Sequence, residues 1–153
     1  MSVELVRRLD RAALDAPDAE HRLTREWLVT NGLGGYASGT VAGVLTRRYH
    51  GLLVAALPAP VGRMLMLSRL WERVRLADRA VFVISDEDHV GASLALDGAR
   101  YLTEFRLESG LPIWRYELGH AVVEKRLHLV YRQNTVHVRY RLVGDDGPVR
   151  LTL

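Results

Sequence analysis

The sequence predicts a mainly β protein, an antiparallel β-sandwich with a short N-terminal helix. Three observations support this fold class. Apolar and polar residues alternate with period two throughout the second half of the chain. Short segments rich in Gly, Pro, Asn and Asp separate the alternating runs, as turns do between antiparallel strands. Helical spacing of apolar residues occurs only near the N terminus. The 153 residues, 48% hydrophobic and 25% charged, suit one globular domain over 1–153.

Each predicted element follows from its local pattern. A helix is predicted over about 3–14, because Leu5, Val6, Leu9 and Ala13 fall on one helical face. Strands of the first half are predicted over 26–30, 40–46, 51–56, 63–69, 71–77 and 80–84. Strands of the second half are predicted over 101–107, 113–118, 122–131, 135–142 and 149–153. The alternation runs as far as Leu153, so we expect the sandwich to be truncated, with more of the protein beyond it.

Composition narrows the function classes. The chain has no cysteine, which excludes a disulfide framework and a zinc–thiolate site. It also has no apolar segment typical of a secretory signal or a membrane span, so we expect a cytoplasmic protein. The net charge of +3 is carried almost entirely by arginine, and Lys125 is the only lysine. Because the arginines are interspersed with acids along the strands, they indicate solvated sheet faces rather than a nucleic-acid surface.

The segment 26–55, EWLVTNGLGGYASGTVAGVLTRRYHGLLVA, has the composition of a binding site. It combines glycines with aromatic residues, an asparagine, two adjacent arginines and a histidine, and it has no acid after Glu26. Glycines allow tight turns and close approach of the backbone to a ligand. Aromatic, Asn, Arg and His side chains hold polar ligands such as sugars. Trp27, at the start of a strand, is more typical of a core residue.

Other chemistries fit this segment poorly. Residues 32–37 match G-x-G-x-x-A formally, but a dinucleotide site also needs a following helix and an acid about 20 residues later, and neither is present. No Walker motif occurs. The six histidines lack the spacing of metal ligands, so no metal site or cofactor is predicted. Glycoside hydrolysis needs two carboxyl groups, and the segment offers only Glu26.

The segment resembles the N-terminal region of bacterial and archaeal glycogen debranching enzymes of the amylo-α-1,6-glucosidase type. The resemblance spans the whole chain and is strongest over about a fifth of it. The matching pieces are Glu26-Trp27-Leu28, Thr30-Asn31-Gly32-Leu33-Gly34-Gly35-Tyr36, Ser38-Gly39-Thr40 and Thr46-Arg47-Arg48-Tyr49-His50-Gly51-Leu52-Leu53.

The resemblance implies a supersandwich-like N-terminal domain, followed in the family by an (α/α)6 catalytic barrel that hydrolyses α-1,6-linked glucose in glycogen or maltodextrin. That barrel is absent from this chain. We therefore expect an accessory domain of a glycoside hydrolase that is inactive alone and self-associates through its truncated sheet. The residues expected to contact the glucan are Asn31, Tyr36, Arg48 and His50, in a loop shaped by Gly32, Gly34 and Gly35. The alternative hypothesis is a stand-alone carbohydrate-binding or interaction module.

Overall fold

A computed structural model describes residues 5–14, 24–85, 98–144 and 147–153. These ranges contain twelve strands, one four-residue helix and one 3-10 turn. The strands are β1 (Leu5–Leu9), β2 (Glu26–Thr30), β3 (Tyr36–Thr40), β4 (Gly51–Ala56), β5 (Arg63–Leu67), β6 (Arg73–Arg75), β7 (Val81–Val83), β8 (Leu102–Glu108), β9 (Leu111–Leu118), β10 (Ala121–Leu129), β11 (Val136–Val143) and β12 (Arg150–Thr152). The helix is α1 (Arg11–Leu14), and the 3-10 turn is Ala99–Tyr101.

The strands form three antiparallel sheets. The five-stranded sheet has the order β1-β8-β9-β10-β11, the four-stranded sheet β2-β3-β4-β5, and the three-stranded sheet β12-β6-β7. Both smaller sheets pack on the same face of the five-stranded sheet. Trp27 of β2 meets Trp114 of β9 edge to face, with ring centroids 5.1 Å apart. Glu72, just before β6, forms an ion pair of 2.7 Å with Lys125 of β10.

The core lies between these layers and holds one buried ionic cluster. Lys125 and Glu72 are both buried, and Glu72 also accepts a hydrogen bond from the hydroxyl of Tyr140. Burial raises the pKa of Tyr140, and the adjacent charge of Glu72 adds to the effect. The only lysine of the chain is thus a core residue. The pairing is consistent with its burial, because a charged group is costly inside a protein unless it has a partner.

The predicted fold class is confirmed. The protein is mainly β, with antiparallel sheets packed face to face. The strand predicted over 51–56 matches β4, and that over 26–30 matches β2. Most second-half strands begin and end within two residues of their predicted limits. In the described part of the chain, no helix has the length and apolar character needed to cross a membrane.

The helix predicted over 3–14 is wrong for most of its length. Leu5–Leu9 forms strand β1, and only Arg11–Leu14 is helical; residues 1–4 lie outside the described ranges. Leu5 and Leu9 are four apart, a spacing that suits a helix face and also every second position of a strand. The edge of β8 decides between them, because it supplies hydrogen-bond partners along β1 and a carboxylate, Glu104, for Arg8.

The strand predicted over 40–46 is also wrong. The strand is β3, at 36–40, and the chain turns immediately after it. Gly43 has a φ of 89°, its amide donates to the carbonyl of Thr40, and the hydroxyl of Thr40 donates to the carbonyl of Val44. Val41 and Val44 are buried as loop residues, and the carbonyl of Val41 accepts a hydrogen bond from the indole of Trp114. Their β-branched side chains serve the core without forming a strand.

Candidate functional site

The outer face of the four-stranded sheet, turned away from the core, carries an open groove. Three connections border it, namely the β2–β3 turn (31–35), the β3–β4 loop (41–50) and the β4–β5 turn (57–62). The residues that line it are Leu33, Gly34, Tyr36, Arg48, Tyr49, Val54, Ala56, Leu57, Gly62, Arg63, Met64 and Leu65. We call it the outer groove. Its volume of about 1050 Å³ is slightly above the range of about 300–1,000 Å³ that is typical of small-molecule sites.

The floor of the outer groove is apolar because of the strand register. Tyr36 of β3 pairs with Val54 of β4, and Val54 pairs with Leu65 of β5, so the three side chains lie in a row on one sheet face. Trp27 and Ala37 point to the opposite face and are buried in the core. The prediction that Trp27 is a core residue is therefore confirmed.

The two adjacent arginines of the β3–β4 loop differ in their partners. Arg47 forms an ion pair with Glu26. Arg48 is exposed at the groove, and its guanidinium makes no hydrogen bond or ion pair with any described residue. Tyr49 follows it and is 67% exposed, with its backbone carbonyl held by the hydroxyl of Ser38 at 3.3 Å. The loop thus presents at the groove a cation without a partner among the described residues, Arg48, and an aromatic ring, Tyr49.

Arg63 adds a second cation at the other end of the outer groove. Its Nε donates to the carbonyl of Gly34 at 2.8 Å, which ties β5 to the β2–β3 turn. This bond uses one of the five N–H groups of the guanidinium, and within the described residues the others have no recorded partner, so they can meet a ligand. Polar donors and an aromatic ring therefore flank an apolar floor, an arrangement suited to a ligand with hydroxyl groups and C–H faces.

His50 lies inside the base of the β3–β4 loop. Its Nδ1 accepts a hydrogen bond from the amide of Thr46 at 3.2 Å, so the ring proton is on Nε2, which lies 3.5 Å from a carboxylate oxygen of Glu26. Burial lowers the pKa of His50; the charge of Glu26 opposes this change, and that of Arg47 reinforces it. Nδ1 is hydrogen-bonded within the loop and Nε2 faces Glu26, so His50 fastens the loop.

Asn31 is completely buried and fastens the β2–β3 turn. Its Oδ1 accepts hydrogen bonds from the amides of Leu33 (2.9 Å) and Gly35 (3.0 Å). Its Nδ2 donates to the carbonyl of Gln133 at 2.9 Å and to Oδ1 of Asn134 at 3.2 Å. The side chain therefore connects the four-stranded sheet to the β10–β11 turn of the five-stranded sheet.

The four predicted sugar-contact residues thus separate into two pairs. Tyr36 and Arg48 line the outer groove. Asn31 and His50 do not, and direct sugar contact by either side chain does not fit this geometry, because both are buried with their polar atoms occupied. They support the turn and the loop that carry the other two.

The glycines of the turn meet distinct steric demands. Gly32 and Gly34 have φ values of 77° and 92°, in the left-handed region that favours glycine. Gly35 is restricted by space, since a Cβ atom there would lie 2.6 Å from Nδ2 of Asn31 and 3.0 Å from the carbonyl oxygen of Val54. The turn therefore needs glycine for two different reasons.

Residues 25–153 match a protein-family model described as glycogen debranching enzyme N terminal. The chain belongs to this family. The resemblance predicted from the sequence is confirmed, and the match covers all the residues of the outer groove. By its description, the family is the N-terminal part of a larger enzyme. No curated protein and no solved structure matches the chain.

In this debranching-enzyme N-terminal domain, sequence reasoning missed Arg63 as a groove residue and noted Tyr49 without selecting it. Arg63 follows a proline-containing turn and has no distinctive local pattern. Only the pairing of β5 with β4 brings it beside Gly34, 29 residues earlier. Tyr49 had a usable signal, because an aromatic residue in a polar loop next to two arginines is typical of a ligand contact.

Proposed function

We propose that the outer groove binds an α-glucan chain and that this domain serves as an accessory part of a glycogen debranching glycoside hydrolase. It would buttress a helical catalytic barrel and supply glucan contacts from its own loops. Family membership supports the enzyme class. A cytoplasmic location stays a prediction from composition.

One observation carries the proposal. Strand β3, the loop that follows it and strand β5 bring Tyr36, Arg48, Tyr49 and Arg63 to a single open groove. Glucans offer hydroxyl groups to arginine donors and C–H faces to aromatic rings. Because Arg48 has no partner among the described residues, it can bind a ligand without breaking an internal contact.

The same groove argues against catalysis by this chain alone. Hydrolysis of a glycosidic bond requires a pair of carboxyl groups on either side of the bond. The described residues that line the outer groove include no Asp or Glu. The proposed role is therefore binding, with the catalytic acids supplied by the parent enzyme.

The test is a titration of the ¹⁵N-labelled chain with maltoheptaose, followed by NMR. Direct contact predicts shifts at the amides of Tyr36, Arg48 and Tyr49, with a Kd of about 1 mM, because only part of the full site is present. Arg48→Ala is expected to weaken binding about tenfold, the effect of losing one charge-assisted hydrogen bond.

Arg139→Ala is the matched control, since Arg139 is an exposed arginine on β11 of the five-stranded sheet, away from the outer groove. It should leave the affinity unchanged. An absence of shifts in the outer groove would overturn the proposed binding role. Micromolar affinity of the isolated chain would instead favour the stand-alone carbohydrate-binding module.

A further inference from the structure

An exposed tyrosine lies directly beyond the β2–β3 turn. Tyr131, in the β10–β11 turn, is 75% exposed, yet its ring rests on the backbone of Gly32. A Cβ atom on Gly32 would lie 2.6 Å from Cε2 of Tyr131, so the contact depends on glycine at that position. The rest of the ring is open to solvent.

The backbone that carries Tyr131 is firmly held. The amide of Arg132 donates to the carbonyl of Asn31 at 2.6 Å, and Arg132 has a φ of 57°, an uncommon value for a residue with a side chain. Asn134 bonds Ala56 in both directions, accepting from its amide at 3.0 Å and donating to its carbonyl at 2.7 Å. With the two bonds from Asn31, these contacts fix the turn against the four-stranded sheet. A ring on such a support loses little entropy on binding a ligand.

The ring lies close to the outer groove along the chain. Leu33 and Gly34 line the groove, and Gly32, immediately before them, carries the ring. At the opposite side of the groove, Tyr49 is anchored to Ser38. Residues 32 and 38 are at most roughly 20 Å apart, the limit for a fully extended chain of six steps. An oligosaccharide such as a heptasaccharide is long enough to cover any separation up to this limit.

We propose that Tyr131 is a second glucan contact, which stacks on a sugar ring of a chain that passes from the outer groove over the β2–β3 turn. This inference rests on the proposed glucan binding and narrows the ligand to an extended glucan chain. It also gives Asn31 a positioning role, because its carboxamide joins the turn that borders the groove to the turn that carries Tyr131.

The experiment compares maltose with maltoheptaose in NMR titrations of the whole chain. In the wild-type protein, both sugars should shift the amides of Tyr36 and Arg48, and only maltoheptaose should shift those of Gly32 and Arg132. Tyr131→Ala is expected to remove this second set of shifts. It should also lower the affinity for maltoheptaose by about three- to tenfold, as expected for loss of one aromatic contact, and leave the affinity for maltose unchanged.

Tyr131→Phe keeps the ring and is the matched control, so it should retain most of the chain-length dependence. Because Tyr131 is largely exposed, neither variant should alter the circular dichroism spectrum. Maltoheptaose shifts confined to the outer groove, or an equal loss for both sugars in Tyr131→Ala, would overturn the role of Tyr131 and leave the groove proposal standing. No shift with either sugar would overturn both.

Discussion

The outer faces of the five-stranded and four-stranded sheets both carry arginines, but they use them differently. On the five-stranded sheet, Arg106 donates hydrogen bonds to Glu104, Glu108 and Glu124 at 2.8, 2.6 and 3.1 Å. On the four-stranded sheet, Arg48 has no partner among the described residues. Around Arg106, the first face pairs its charges internally, whereas Arg48 on the second is available to a ligand.

The charged face is a ladder of ion pairs that continues on both sides of Arg106. Arg8 pairs with Glu104, Arg115 with Glu124, and Arg126 with Glu108. Burial opposes the charge of Arg106, but its bonds with the three carboxylates outweigh this and raise its pKa. The hydrogen bond from Arg106 is the main reason why the pKa of Glu108 is lowered. The nitrogen–oxygen distances in the pairs of Arg8, Arg115 and Arg126 are 2.5, 3.3 and 2.7 Å.

The ladder also covers apolar surface. Ile113 lies between Arg106 and Arg126 in the strand register and is fully buried, although it points away from the main core. The aliphatic stems of the arginines can cover it while their charged ends reach the carboxylates. The comparison shows that the number of arginines on a sheet face says little about ligand binding. Whether an arginine can bind a ligand depends on whether its guanidinium already has a partner within the protein.

The largest effect is expected from Arg106→Met. Methionine keeps an apolar stem over Ile113 but leaves three carboxylates without their shared cation. We expect a loss of about 1–3 kcal/mol of unfolding free energy, measured by urea denaturation. Glucan binding should stay unchanged. Arg139→Met, on the same face without a partner among the described residues, should change stability by less than about 0.5 kcal/mol. Equal effects of both variants would show that the ladder contributes no stability.

A second prediction concerns the edge of the four-stranded sheet, and it carries forward the self-association expected from the sequence. Among the strands that the structure describes, β5 pairs with β4 alone, and Met66 on it is 57% exposed. An apolar strand at a free edge favours pairing with another chain. Light scattering should detect association of the wild-type chain. Met66→Lys should weaken it by at least about tenfold, since a charge at such an edge opposes strand pairing. A monomeric wild-type chain would contradict this prediction.

The smallest effects concern pH, and they separate the two faces. The pKa of His50 in the folded protein is lowered from 6.5. As the pH falls, its imidazole is therefore protonated first in the unfolded chain, and the free energy of unfolding decreases below about pH 6.5. The pKa of Glu108 is lowered from 4.5, so its contribution is full above that pH and is lost as the pH falls through the folded value.

A local measurement distinguishes these two windows. Protonation of Nδ1 of His50 breaks its bond with the amide of Thr46, so hydrogen-exchange protection of that amide should fall as the pH passes below the lowered pKa of His50, which lies under 6.5. The pKa of His128 is also lowered, mainly by burial, and by its stacking neighbour His137 and by Arg126. His128→Gln therefore serves as the control, and it should leave the Thr46 profile unchanged. If the Thr46 amide lost its protection only below pH 4.5, the loss would not be due to protonation of His50.

Local pattern was enough to predict most of the strands. Alternation over residues 102–143 predicted β8 to β11, because each strand has one face toward the core and one toward solvent. It failed at Leu5–Leu9, where the spacing of the leucines fits a helix and a strand equally well. It also failed over 40–46, where the β-branched residues Val41 and Val44 are buried in a loop. The sequence also predicts a long loop over 86–98, and this segment lies almost wholly outside the described residues.

For the candidate site, the sequence identified the segment but not the role of each residue. The composition of 26–55 was enough to indicate a site and its family. Docking of the sheets decided that Asn31 bonds Asn134, 103 residues away. Strand pairing within the four-stranded sheet decided that Arg63 reaches the outer groove. The path of the β3–β4 loop decided that Arg47 meets Glu26, while Arg48 has no partner in the part of the chain that the structure describes. Strand alternation is a local property that neighbouring residues encode, whereas burial and pairing of a polar side chain depend on groups that only folding brings together.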